Sequence, residues 1–240
     1  MNPTHLIIKA GTKLPSLSAI NGDYEEWMAD ILKWRREDYR TVAVYQGELL
    51  PPMDEVKSVI ITGADSMVAD DAPWIATTAE WLAQAIKLKR PILGICFGHQ
   101  LLAHALGGRV GNNPCGVEVG TVTIHLTDSA KTDTLFGSLP DQFSANVSHQ
   151  QSVLELPTGA HLLAYSELEP VHAFSYGGHA WGIQFHPEFD RTAMTHFIHY
   201  YANQIKGREP HFDALSEQAA DTPISRALLR NFALLQQNLA

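Results

Sequence analysis

Apolar residues in this chain first appear in short unbroken runs. Leu6-Ile7-Ile8, Thr41-Val42-Ala43-Val44-Tyr45 and Val59-Ile60-Ile61-Thr62 read as strands buried on both faces. They are β-branched, bounded by turn residues and too short for core helices. Between them the period changes to 3.6. After a Gly/Pro/Ser-rich loop over 11–22, Asp23 and Glu26 have capping-box spacing and start a helix over 24–36, with Trp27, Ile31 and Trp34 on one face. A second helix opens at Pro73, turns Trp74, Trp81, Leu82 and Ala85 inward, and ends in Lys87, Lys89 and Arg90. A further apolar run over 91–95 stops at Cys96, and a helical pattern begins directly after it and runs to Gly108.

The second half has another texture. Residues 117–126 alternate, 143–147 form a short run followed by Ser148-His149, and 161–165, 171–176 and 180–185 are strand-like, the last two flanking a Gly177-Gly178 hairpin turn. Alternating β and α units followed by clustered strands predict an α/β fold. Its sheet is mostly parallel, with helices on both faces and a small antiparallel extension. Asp190 caps a helix reaching about residue 205. A polar stretch over 206–221 leads to a final helix that starts at Thr222-Pro223, with Ile224, Leu228, Phe232 and Leu235 as its apolar stripe. The expected organisation is one domain over 1–206, with 207–240 a polar linker and a helix packed on the same domain.

Composition narrows the function classes. The 240 residues are 45% hydrophobic and 18% charged, which suits one well-filled domain. Lys and Arg number 17 against 26 Asp and Glu, a net charge of -9, and no basic run is long enough to track a phosphate backbone, so nucleic acid is excluded as a partner. No uncharged apolar stretch approaches the roughly 18 residues of a membrane span, and the N-terminus lacks a signal-peptide pattern. With two cysteines, Cys96 and Cys115, the chain is expected in a reducing cytoplasm. The 12 histidines show no HExxH-like spacing, so neither a zinc site nor any other cofactor is expected. Cys115 reads as a loop thiol, His99 and His104 as surface or packing residues, and the Trp residues as core.

Cys96 carries the chemistry. Gly94 and Gly98 bracket it as Gly-x-nucleophile-x-Gly at the corner between a strand and a helix N-terminus, where the dipole and amide donors favour a thiolate. His186 is the candidate base, because it follows an alternating strand that Pro187 terminates, and parallel strands gather their C-terminal ends on one edge. Glu188 can then orient the imidazole, giving a Cys-His-Glu relay for acyl transfer. The backbone N–H groups of Phe97 and Gly63 are the candidate oxyanion donors.

Gly94-Ile95-Cys96-Phe97-Gly98-His99-Gln100, Ile61-Thr62-Gly63, Gly116-Val117-Glu118-Val119-Gly120, Ser148-His149 and His186-Pro187-Glu188 together resemble the class I glutamine amidotransferases, notably the glutaminase domain of GMP synthetase and its free-standing relatives. The resemblance spans about residues 40–190. It implies a flavodoxin-like doubly wound fold, a γ-glutamyl thioester on Cys96, release of ammonia, and substrate binding by Gln100, Ser148 and His149. The chain departs from the family at Gln150-Gln151-Ser152, where an acidic residue is usual. No counterpart of the ATP-pyrophosphatase region of GMP synthetase is expected before Ala240. Three outcomes follow from the resemblance: hydrolysis of glutamine, γ-glutamyl peptidase activity by the chain alone, or a glutaminase active only with a separate synthase subunit.

Overall fold

The predicted runs become adjacent strands because each is apolar on both faces and can be covered from both sides. The structure, a computed structural model, describes residues 4–70, 72–204 and 209–238. The strands are β1 (Thr4–Lys9), β2 (Tyr39–Ala43), β3 (Val56–Ile61), β4 (Ile92–Ile95), β5 (Arg109–Asn112), β6 (Glu118–Leu126), β7 (Gln142–His149), β8 (Gln151–Glu155), β9 (Ala160–Tyr165), β10 (Ala173–Tyr176) and β11 (Ala180–Ile183). The helices are α1 (Tyr24–Leu32), α2 (Pro73–Lys87), α3 (Phe97–Ala105), α4 (Arg191–Gln204), α5 (Glu209–Gln218) and α6 (Pro223–Asn238).

Nine strands form one sheet in the order β2-β1-β3-β4-β11-β10-β9-β6-β7. Pairing is parallel from β2 to β11 and antiparallel from β10 onward. Successive residues of β3 go to opposite faces: Ile60 joins Leu93 and Ile95 under α1, α4 and α6, whereas Val59 and Ile61 join Ile92 under α2 and α3. Each fully buried side chain of this size contributes about 1.5–3 kcal/mol. The α/β architecture with a mostly parallel sheet is as expected. The antiparallel part is larger than expected, four of the nine strands.

Three local expectations are corrected. The first helix stops at Leu32, not Arg36, because Lys33 turns left-handed at φ 58°, ψ 31°. That turn releases Trp34 to stack on His5 at 4.3 Å. A helix, α5, occupies much of the stretch expected to be a linker, and among its described side chains Phe212 and Leu215 pack against the core. Finally, β5 and β8 pair as a separate two-stranded sheet. Gly111 and Asn112 leave Val110 as the single apolar residue of β5, so no periodicity announced it. On α6, Leu228, Leu229 and Phe232 are buried, and Phe232 meets Trp181 edge-on at 6.2 Å.

The register of three strands positions the chemistry. Ile61 and Gly182 both stand opposite Gly94, so β3, β4 and β11 end at one level on the C-terminal edge of the sheet.

Candidate active site

Cys96 is the N-cap of α3 and holds φ 52°, ψ -104°, a sparsely populated conformation for a side chain with a Cβ. Its neighbours are chosen by space. A Cβ on Gly94 would lie 2.3 Å from the Gly98 carbonyl oxygen, and one on Gly98 would lie 2.5 Å from that of Ile61, so neither position admits a side chain. The Cys96 N–H donates to the Ile183 carbonyl at 2.8 Å, which fixes the elbow against β11. The thiol is 7% exposed and faces the Ser148 carbonyl at 3.7 Å.

His186 follows β11 and is brought to the same corner. Its N–H donates to the Asn146 carbonyl at 2.8 Å, and its ring stacks on Phe189 with centroids 4.0 Å apart. The ring edge at Cε1 lies 2.9 Å from where a Cβ on Gly63 would be, and that same point is 3.7 Å from the Cys96 Cβ, so the three residues converge. Nδ1 of His186 donates to Glu188 Oε1 at 2.7 Å. Burial alone would push His186 down. The Glu188 carboxylate, with Cys96 close by, outweighs it and holds the imidazole well above its ordinary range. Phe97 is the first residue of α3, where a backbone N–H has no acceptor inside the helix, and Gly63 stands two residues past the end of β3, next to His186 and Cys96.

Cys96 and His186 border a cavity of about 160 Å³, while Gly63 and Phe97 are not among the residues that line it. Cys96, Gln100, Ser148, His149 and His186 line it, whereas Glu188 stands behind His186. Gln100 Nε2 donates to the Gln151 carbonyl and to Gln184 Oε1, both at 2.9 Å. Ser148 and His149 lie on β7 itself, not in a turn after it. Both ring nitrogens of His149 face acceptors within the protein, the Gln151 carbonyl at 3.0 Å and Glu118 Oε2 at 2.8 Å. His99 is wholly buried against Phe174, and burial pushes it down to about 3, while Cys115 is an exposed thiol.

Sequence reasoning missed several wall residues. Tyr24 from α1, Asp65 after β3, and Tyr200 and Tyr201 from α4 all line the cavity. Phe197, Tyr200 and Tyr201 have i, i+3, i+4 spacing, a signal that one helical face was committed. Burial raises Tyr24, reinforced by negative charge on Asp65, Glu188 and Cys96, so its hydroxyl stays protonated. Also missed was a buried polar cluster beneath the cavity. Glu118 Oε2 accepts from His149 Nε2 at 2.8 Å and His172 Nε2 at 3.0 Å, and Oε1 accepts from Ser166 at 2.6 Å. Among the described residues these are the ligand-type groups close enough for a metal ion, within 4.8 Å of one another. Their spacings are those of hydrogen bonds that already engage both oxygens of Glu118.

Comparison with known proteins shows the family of the chain. The family described as Glutamine amidotransferase class-I matches residues 32–203. Gamma-glutamyl peptidase 5 of Arabidopsis thaliana is 37% identical over 153 residues, covering 63% of this chain and 61% of that protein. The glutamine-hydrolyzing GMP synthase subunit of Methanocaldococcus jannaschii is also 37% identical, over 152 residues, covering 63% of this chain and 71% of that one. Among solved structures, a glutamine amidotransferase from Thermotoga maritima superposes with a TM-score of 0.76 at 24% identity, covering 97% and 98% of the two chains, a likeness of fold. Among the described residues no helix is long and apolar enough to cross a membrane. With its sheet order, strand-helix elbow and matched span, the chain belongs to the class I glutamine amidotransferase family.

Proposed function

We propose that the chain hydrolyses the γ-amide of glutamine or of a γ-glutamyl compound through a thioester on Cys96. The observation that carries this reading is the convergence of the strained Cys96, His186 and Gly63, with His186 held by Glu188 at 2.7 Å. Cys96 Sγ attacks the γ-carbonyl carbon, and the oxyanion that forms is met by the N–H groups of Gly63 and Phe97. His186 carries the proton from sulfur and gives it to the departing nitrogen, so the C–N bond breaks and ammonia or an amine leaves. Water then attacks the thioester, His186 takes its proton, and the C–S bond breaks to release glutamate and restore Cys96. Gln100, with Nε2 committed to internal acceptors, offers Oε1 to the substrate's ammonium, and the Ser148-His149 backbone forms the opposite wall.

Two versions of this reading differ in what happens to the nitrogen. The similarity to Gamma-glutamyl peptidase 5 supports a chain that cleaves γ-glutamyl amides alone. The similarity to a glutamine-hydrolyzing GMP synthase subunit supports a glutaminase working with a separate synthase subunit. Amine release from γ-glutamyl peptides by the purified chain, matched against ammonia release from glutamine, separates them. Silence of the purified chain on every γ-glutamyl substrate sinks the first version, and the absence of any glutamyl adduct on Cys96 by mass spectrometry, with a synthase subunit present as well as without, sinks both. A reducing cytoplasmic setting accords with the two free cysteines.

A further inference from the structure

Behind the relay lies a second cavity, of about 290 Å³, between α1, the start of α4 and α6. Trp27 and Ile31 of α1 give it an apolar wall, and Asp30, Glu188, Asp190 and Arg226 supply its charges. Glu188 lines this cavity and holds His186, which lines the first. One oxygen accepts from His186, while the other, Oε2, is buried with no hydrogen-bond partner among the described residues. Glu188 as a whole is 3% exposed, so this is a buried carboxylate oxygen left half-satisfied, a costly arrangement unless something completes it. The opposite charge is equally unspent. Among the described residues, no carboxylate comes within ion-pair distance of Arg226, which lines the same cavity from α6. Asp30 likewise has no cationic partner there, and Asp190 uses Oδ1 to cap α4 through the Ala193 N–H at 2.8 Å.

We infer that this cavity is a second binding site, for a free α-amino acid with an apolar side chain, seated directly behind the catalytic relay. The ammonium meets the carboxylates around Glu188 Oε2, the carboxylate meets Arg226, and the side chain covers Trp27 and Ile31. A cation alone would leave the guanidinium unpaired, and an anion alone would face three carboxylates. Occupancy also has a chemical consequence, which rests on the function proposed above. An ammonium on Oε2 draws negative charge from Glu188 and loosens its hold on the His186 imidazole, so a free amino acid restrains turnover.

The test uses L-leucine, with isoamylamine and isocaproate as analogues that keep one charge each. Titration calorimetry on the Cys96→Ala chain, which cannot turn over, is expected to show leucine binding and both analogues binding at least about tenfold more weakly. Arg226→Ala and the milder Arg226→Gln, each combined with Cys96→Ala, are expected to weaken leucine by about tenfold or more. In chains retaining Cys96, either Arg226 substitution leaves basal hydrolysis unchanged and removes inhibition by leucine. No leucine binding, analogues as tight as leucine, or binding unaffected by both Arg226 substitutions overturns the inference. The calorimetric arm needs no catalysis, so failure of the proposed hydrolysis would leave leucine binding intact.

Discussion

At the scale of single residues, Cys96→Ala removes the attacking atom and is expected to abolish amide hydrolysis, while His186→Gln lowers turnover by about 10² to 10⁴, both followed by amine release. Glu188→Gln makes a sharper test. Burial is the largest influence on His186 and acts downward, opposed by Glu188 and Cys96. Without the carboxylate the imidazolium loses its proton at lower pH. The basic limb of the kcat/KM profile should therefore move to lower pH, with turnover down by about 10² or more, as pH-rate profiles would reveal. The meeting of Cys96, His186 and Glu188 was readable from the chain alone because Gly-x-Cys-x-Gly and His-Pro-Glu are local patterns with one geometric meaning. The roles of Asp65 and Tyr24 were not, since one exposed acid in a loop and one Tyr in an amphipathic helix look like dozens of others.

Elements decide whether those residues meet. Gly98→Ala forces a methyl to within 2.5 Å of the Ile61 carbonyl oxygen, between α3 and β3, and backbone cannot yield as a side-chain end can. A loss of about 1–3 kcal/mol in urea unfolding is expected, with activity falling further than stability because the elbow shifts. The Glu118 cluster ties β6 to β7 and to His172 just ahead of β10. Burial opposes ionisation of Glu118, but the bonds from His149 and His172 prevail and hold its carboxyl far below its ordinary 4.5. A depressed carboxyl stabilises the fold fully above its unfolded value, and that contribution fades as pH falls below it. Unfolding free energies of Glu118→Gln and wild type from urea titration should thus differ most near neutrality, by about 3–5 kcal/mol, and converge towards strongly acid pH. None of this was legible in the chain. Glu118 sits in an alternating strand like any solvent-facing acid, and its partners lie 31 and 54 residues away.

For the whole molecule, the parallel half of the sheet was readable because fully buried strands leave continuous apolar runs. The extent of the antiparallel half was not. Its strands alternate, and alternation does not say how many neighbours a strand will find. The same limit hid α5, whose polar sequence carries two apolar contacts to the core. The closing helix was plain from its stripe, and Phe232→Ala is expected to cost about 3–5 kcal/mol in urea unfolding, with kcat of the surviving folded protein little changed.

The order in which the three aligned strand ends arise has a consequence for synthesis. Gly63 and Cys96 closely follow neighbouring strands, β3 and β4, and can settle early, but His186 follows 90 residues after the cysteine. At ribosomal speeds of about 5–20 residues per second, that leaves roughly 5–20 s in which a growing chain carries its thiol without the base that arms it. In the proposed reaction the thiol therefore meets its base only as β11 docks beside β4 and closes the corner over it, after the stage at which the polypeptide around it is least protected.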